Sequence, residues 1–156
     1  MQFSDVPSYQ TPPDQTNTLA AGGTTGFAGN YDFLDVNGNN ISDSWENNYF
    51  GSATNRTQQT DSDHDGMADY AEFIAGTDPT NAASRFYFTG ETVPGGRLVQ
   101  MQWTVAAGRL YQVSSSGNLS GWVTNTPWLQ AANSSTMDYT VTNSGVARFY
   151  RVQVLP

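Results

Sequence analysis

The sequence contains no cysteine and no lysine, and His64 is its single histidine. Without cysteine, the chain can form neither disulfide bonds nor thiolate metal sites. With one histidine and no cysteine, it cannot build a Ser-His or Cys-His nucleophile system away from His64. We therefore expect that this protein is not an enzyme.

The charge balance is strongly acidic. Six arginines stand against fourteen acidic residues, which gives a formal net charge of -8. Nucleic-acid-binding proteins need a basic face, so we expect no nucleic-acid partner. No segment is long and apolar enough to span a membrane. The first five residues show no signal peptide, and we expect either that one was removed or that the chain is a fragment with an added Met1.

Five of the acids lie in one twelve-residue stretch, residues 61–72, which reads DSDHDGMADYAE. Side chains at alternate positions of a tight loop converge on one point, and glycine at position 6 permits the sharp turn. This spacing predicts an EF-hand-type loop that surrounds a calcium ion with oxygen ligands. The predicted ligands are the side chains of Asp61, Asp63, Asp65, Asp69 and Glu72 and the backbone carbonyl of Met67.

A second copy of the pattern, DVNGNNISDSWE, occupies residues 35–46. Asn40 replaces the glycine at position 6, which is acceptable because asparagine enters the left-handed region more readily than most residues. The predicted ligands are Asp35, Asn37, Asn39, the carbonyl of Ile41, Asp43 and Glu46. This loop has three carboxylates where the other has five. We therefore predict two calcium sites, with tighter binding at residues 61–72.

Each loop runs into a short predicted helix that ends at glycine. The helices are expected from Trp45 to Phe50, before Gly51, and from Tyr70 to Ala75, before Gly76, since glycine commonly follows the last helical residue. A solvated acidic surface loop is the alternative interpretation of either stretch, and it is the stronger alternative for residues 35–46.

The rest of the chain divides by composition. Residues 1–30 are rich in proline and polar residues and predict an extended N-terminal arm. Residues 31–84 hold the two loop–helix units. Residues 85–156 alternate apolar and polar side chains, as at Val99, Met101 and Trp103, and predict a small antiparallel β-sandwich. The expected fold class is thus mixed and mainly β.

These features together resemble a module of secreted and surface proteins of environmental bacteria, in which thrombospondin type 3-like calcium repeats precede a C-terminal β domain. The two loop–helix stretches carry the resemblance, together with residues 108–113, 118–122 and 148–152 of the β part. The resemblance implies calcium-dependent structure at an extracellular or cell-surface location, and it names no reaction.

Two functions fit this pattern. The first is a structural subunit that self-assembles into a filament, tube or surface layer, with Phe3, Val6 and Tyr9 of the arm adding to a strand edge of the next copy. The second is a carbohydrate-binding or adhesion module of a larger secreted protein, which would bind a glycan through Trp122 and Trp128. Packing of Trp122 in the sandwich core is the structural alternative to that second role.

Overall fold

A computed structural model describes residues 1–3, 5–6, 8–92, 98–131, 135–142 and 148–156. Contacts divide the chain into two compact units, Met1–Thr57 and Gln58–Pro156. Each unit contains one of the two loops. The boundaries predicted after residues 30 and 84 stay predictions.

The first unit contains helix α1, Asp43–Phe50, which follows the loop of residues 35–46. Trp45 is buried on this helix, and its ring lies 4.9 Å from Tyr49 and 6.0 Å from Phe50. The helix ends at Gly51, whose φ of 69° places it in the left-handed region. α1 therefore ends where the sequence predicts and begins two residues earlier.

The N-terminal segment of this unit folds back on residues further along the same unit. The N–H of Gln10 donates to the carbonyl of Asp32 at 2.6 Å, within an isolated antiparallel bridge. The ring of Tyr9 meets Phe33 edge-on, with a centroid separation of 5.3 Å. Phe3 lies so close to Gly29 that a Cβ at that glycine would be 2.8 Å from the Phe3 ring. The segment thus finds partners within its own unit.

The second unit begins with its loop and helix α2, Asp69–Ala75, which ends at Gly76 with φ 76°. A side chain at Gly76 would place a Cβ 2.8 Å from the Cβ of Ala106. The buried guanidinium of Arg109 donates to the carbonyl of Phe73 at 2.9 Å. The last turn of α2 is therefore fixed against the β domain by a close backbone approach and a buried cation.

Within the described residues of this unit, seven strands form two antiparallel sheets. The first sheet has the order β1-β2-β6; in the second, β3 pairs with β4 and β5 along one edge and with β7 along the other. The strands are β1 Phe88–Thr92, β2 Leu98–Thr104, β3 Leu110–Ser116, β4 Val123–Thr124, β5 Leu129–Gln130, β6 Thr136–Thr142 and β7 Phe149–Leu155.

Both sheets contribute to one hydrophobic core. Met101 and Trp103 of β2 are buried together with Tyr111 and Val113 of β3, and alternate residues of β6 and β7 pack against them. The alternation predicted for β2 is confirmed, because its buried positions are separated by exposed ones. The fold is mainly β with two short helices, as the sequence predicts.

An EF-hand in the strict sense has a helix on both sides of its loop. Among the residues that the structure describes, a helix follows each loop and none precedes it. The units are therefore loop–helix units. None of the helices in the described ranges is long and apolar enough to cross a lipid bilayer.

Candidate metal centre

The backbone of residues 61–72 turns sharply through two left-handed residues. His64 has φ 62° and Gly66 has φ 93°. Glycine adopts this region without strain, whereas a histidine pays a steric cost there. The side chain of His64, at loop position 4, is exposed.

Backbone N–H groups orient the carboxylates at positions 1, 3 and 5. Both oxygens of Asp61 accept hydrogen bonds, one from the N–H of His64 at 2.8 Å and one from the N–H of Gly66 at 3.0 Å. Oδ1 of Asp63 accepts from the N–H of Asp65 at 3.1 Å. Oδ1 of Asp65 accepts from the N–H of Met67 at 2.7 Å. Each of these bonds fixes a carboxylate at the inner side of the loop.

Three carboxylate oxygens are left over, and all three are buried. Oδ2 of Asp63, Oδ2 of Asp65 and Oε2 of Glu72 have no hydrogen-bond partner within the described residues. One oxygen from each of Asp61, Asp63 and Asp65 also lies within 4.8 Å of the other two. A buried, unpaired carboxylate oxygen is unfavourable unless a cation or a donor meets it. The chemistry of this set fits a hard divalent cation, which prefers oxygen ligands.

Glu72, at the twelfth position, is fully buried on α2. Thr77 donates its hydroxyl to Oε1 at 3.0 Å and so orients the carboxylate. The pKa of Glu72 is raised to about 7, chiefly by burial; the hydrogen bond from Thr77 lowers it, and the nearby charges of Asp63, Asp65 and Asp69 raise it. A cation beside this carboxylate would favour its ionised form at neutral pH.

In both loops, the carboxylate at position 9 accepts hydrogen bonds from the residue at position 2. Asp69 accepts from the N–H and the hydroxyl of Ser62, at 2.9 and 2.7 Å. Asp43 accepts from the N–H of Val36 at 3.1 Å. Each therefore ties the helix to the start of its loop, and in calcium loops this position often reaches the ion through a water molecule.

The loop of residues 35–46 repeats the backbone of the second loop. Gly38 and Asn40 have φ 71° and 63°, at the same two positions as His64 and Gly66. The left-handed conformation predicted for Asn40 is thus confirmed. Asp35 accepts from the N–H groups of Gly38, Asn39 and Asn40 at 2.8 to 3.1 Å. The bonds from positions 4 and 6 match those that Asp61 accepts in its own loop.

The inner side of this first loop is filled by amide N–H groups. Asn39 Nδ2 donates to Oε1 of Glu46 at 3.0 Å, and Asn37 Nδ2 lies 3.4 Å from Oε2 of the same carboxylate. Burial raises the pKa of Glu46, while these two hydrogen bonds and the charge of Arg56 act to lower it. In this orientation, the side-chain nitrogens of Asn37 and Asn39 face the position where the pattern predicts oxygen ligands.

The structure brings together one oxygen from each of Asp61, Asp63 and Asp65 in the second loop, and it places the amides of Asn37 and Asn39 against Glu46 in the first. It also adds two residues that the pattern does not contain. Thr77 orients Glu72, and Arg109 holds the carbonyl of Phe73 one residue later on α2. The motif ends at Glu72, so no spacing rule could indicate either residue. The inward carbonyls predicted for Ile41 and Met67, and the number of bound ions, stay predictions.

Comparison with known proteins gives one family. Residues 61–82 match the family model described as Bacterial TSP3 repeat. The match covers the whole second loop, α2 and the turn after it, while the first loop lies outside it. No curated protein and no solved structure matches the chain.

The class follows from the match together with the geometry. The chain carries a thrombospondin type 3-like repeat, and repeats of this kind are calcium-binding units of extracellular proteins. The acidic cluster of Asp61, Asp63 and Asp65 lies within the matched residues. Residues 61–82 are thus similar to a bacterial TSP3 repeat, and a β domain follows them in the chain.

Proposed function

We propose that the chain is a calcium-stabilised structural module in which a calcium ion closes the second loop and supports the β domain behind it. The observation that carries this proposal is the set of three buried, unpartnered oxygens on Asp63, Asp65 and Glu72. Asp61 and the carbonyl of Met67 complete the proposed shell. A bound calcium ion supplies positive charge at the point where these carboxylates converge, and it supplies no reaction chemistry.

The proposed role is non-catalytic. His64 is exposed on the outer side of the loop, and the acids with buried, unpartnered oxygens converge within this one loop. Closed oxygen shells around calcium serve structure more often than catalysis.

Calorimetric titration of the metal-free protein with calcium tests the proposal, with magnesium as the matched control. We expect saturable calcium binding at the second loop and a higher melting temperature in calcium, because a ligand of the native state stabilises it by mass action. Magnesium demands a smaller octahedral shell and should bind more weakly. A melting temperature that is the same in millimolar calcium and in excess chelator would contradict the proposal.

We further propose that the module self-associates through its N-terminal arm, into a filament, tube or surface layer. Two features support this. Among the described strands, β7 pairs only with β3, so its other edge can accept a strand, and Arg151 is its one charged residue. The arm is held to its own unit by the bridge between Gln10 and Asp32 and by the edge-on contact of Tyr9 with Phe33. Contacts of this kind can be exchanged between neighbouring copies.

Deletion of residues 2–25 tests the assembly proposal. Light scattering in calcium should show self-association of the full chain and none of the truncated chain. The β domain should stay folded in both, since its core draws on residues 86–154 alone. A full-length chain that stays monomeric at every concentration would refute assembly.

Carbohydrate binding is the second candidate function, and one observation favours it. Trp122 is half-buried with the guanidinium of Arg151 4.3 Å from its ring centroid, and it is not among the buried core residues. Trp128 is 39% exposed. Aromatic faces of this kind can stack on sugar rings. Glycan-array binding that is lost in Trp128→Ala, with Trp45→Phe in the first unit as control, would support this function over assembly.

A further inference from the structure

We infer that the first loop, residues 35–46, keeps its folded conformation without a cation, because its own amide N–H groups meet Glu46 where a cation would. The inference deepens the proposed function and rests on it only for the second loop, whose fold then depends on calcium. The two loops would then have the same backbone conformation, but amide N–H groups would stabilise the first and a calcium ion the second.

The comparison is meaningful because the two backbones agree. Both loops have left-handed residues at positions 4 and 6, and in both the carboxylate at position 1 accepts N–H groups from positions 4 and 6. In both, Oδ1 at position 3 accepts from the N–H of position 5. In both, Oδ1 at position 5 accepts from the N–H of position 7. The second side-chain atom at positions 3 and 5 is therefore left to face the interior.

That second atom is a donor in the first loop. The N–H of Ile41 donates to Oδ1 of Asn39 at 2.7 Å, which fixes the amide so that Nδ2 points to Glu46 at 3.0 Å. A flipped amide would direct its NH₂ group at the N–H of Ile41, where two donors would meet. The same argument applies to Asn37, whose Oδ1 accepts from the N–H of Asn39 at 3.1 Å.

The same amides also tie the loop to the chain that follows α1. Nδ2 of Asn37 donates to the carbonyl of Ala53 at 2.6 Å, and Nδ2 of Asn39 donates to the carbonyl of Arg56 at 3.3 Å. Two charges act on the pKa of Glu46: the guanidinium of Arg56 lowers it, and the carboxylate of Asp43 raises it. Donors and one cationic side chain thus satisfy the glutamate from within the protein.

In the second loop the corresponding atoms are acceptors. Oδ2 of Asp63 and Oδ2 of Asp65 take the places of the two Nδ2 atoms, and both are buried without a partner, as is Oε2 of Glu72. The charges that act on Glu72 from Asp63, Asp65 and Asp69 are all negative. Without a cation this loop therefore faces both unpaired oxygens and charge repulsion.

A consequence concerns calcium itself. An ion that enters the first loop must break the hydrogen bonds from Asn37 and Asn39 to Glu46 before it can use that carboxylate. The second loop has no such bonds to break in the described structure, so its calcium affinity should be the higher of the two.

Hydrogen exchange of the full chain, in calcium and in excess chelator, tests the inference. Exchange of backbone N–H groups reports local opening of each loop separately. On chelation we expect peptides from residues 61–75 to exchange at least about tenfold faster and peptides from residues 35–50 to change by less than about threefold. Similar acceleration in both loops would overturn the inference.

A charge-matched pair of variants sharpens the test. Asn39→Asp replaces a donor by an acceptor beside Glu46, so the first loop should become calcium-dependent, with at least about tenfold faster exchange in chelator. Asn48→Asp adds the same charge on the exposed side of α1 and should leave the exchange unchanged. An Asn39→Asp loop that stays protected in chelator would overturn the inference.

The outcome for the second loop is separate. If residues 61–75 keep their protection in chelator, the proposed calcium-dependent function fails, whatever the first loop does. If residues 61–75 lose protection and residues 35–50 lose it equally, the proposed function stands and this inference fails.

Discussion

The two loops have the same backbone conformation, but their side chains at positions 3 and 5 are donors in one and acceptors in the other. At positions 3 and 5, the first loop has amides whose nitrogen atoms donate to Glu46, whereas the second has carboxylates whose buried Oδ2 atoms have no donor among the described residues. A nitrogen or an oxygen atom at the side-chain ends of positions 3 and 5 thus determines whether the glutamate at position 12 is met by the protein's own donors or needs a cation. The spacing of a calcium motif thus indicates how the loop backbone turns, whereas the charge of its side chains indicates whether the loop needs the ion.

The way each helix is supported also differs. α1 carries its own aromatic cluster of Trp45, Tyr49 and Phe50, and the guanidinium of Arg56 lies over the Phe50 ring at 3.2 Å. α2 is joined to the β domain through Arg109. Changes at the second loop should therefore alter the stability of the β domain of the same unit.

The largest effect is expected from the paired substitutions Asp61→Ala and Asp35→Ala, both at loop position 1. Asp61→Ala removes a predicted ligand as well as two N–H bonds, so it should abolish calcium stabilisation, which is about 2.7 kcal/mol at a hundredfold excess over Kd. Asp35→Ala removes hydrogen bonds worth about 1 kcal/mol each. Thermal melts in calcium and in chelator should differ for Asp35→Ala and coincide for Asp61→Ala. Equal calcium dependence in both variants would show that the two loops do not differ in their need for calcium.

Arg109→Met should give the next largest effect. It leaves the carbonyl of Phe73 without its buried cationic donor, and a hydrogen bond to a charged group contributes about 1.5–3 kcal/mol. We expect a lower free energy of unfolding for the second unit and weaker calcium binding, because Phe73 follows Glu72 on α2. Arg148→Met, at an exposed position, is the control. Calcium affinity equal to that of the unmodified chain would show that the β domain does not support the loop.

A smaller effect concerns pH in chelator. The pKa of Glu72 in the folded chain is about 7, above its ordinary 4.5, so the folded state binds the proton more tightly than the unfolded state does. The metal-free second unit should therefore lose stability as pH rises from about 4.5 through about 7. Melting temperatures in chelator between pH 5 and pH 8 measure this trend. Glu72→Gln should flatten it, and a decline of the same size in that variant would assign it to another group.

The smallest effect is expected from glycine substitutions at the left-handed positions. His64→Gly should stabilise the second loop by about 1 kcal/mol, because a left-handed conformation costs an ordinary side chain roughly that amount. Asn40→Gly in the first loop should gain less, since asparagine tolerates this region. Chemical denaturation of the two variants measures the difference. Equal gains would mean that His64 carries no more strain than Asn40.

Much of the fold was predictable because it depends on local patterns. Alternation at Val99, Met101 and Trp103 predicted β2, and glycines at 51 and 76 predicted the ends of both helices. The ligand spacing placed Asp61, Asp63 and Asp65 in one group, and the structure has them close together. These signals lie within one or two turns of chain, where sequence period and local geometry agree.

The remainder depends on contacts between distant residues. The donor from Arg109 to Phe73 joins residues 36 positions apart, and no local period records it. The orientation of the amides of Asn37 and Asn39 follows from backbone N–H groups that only the folded loop positions. The folded-back arm likewise follows from pairs such as Tyr9 and Phe33.

The glycines after the two helices look equivalent in the sequence, yet they would respond differently to engineering. At Gly51 an added Cβ meets nothing within 4 Å, so asparagine, which accepts the left-handed backbone, is a usable substitute there. At Gly76 the added atom meets Ala106 at 2.8 Å, so neither asparagine nor alanine fits. A designer who transplants this repeat onto another scaffold must therefore carry over the surface that faces Gly76 along with the loop. The portable part is larger than the twelve-residue motif.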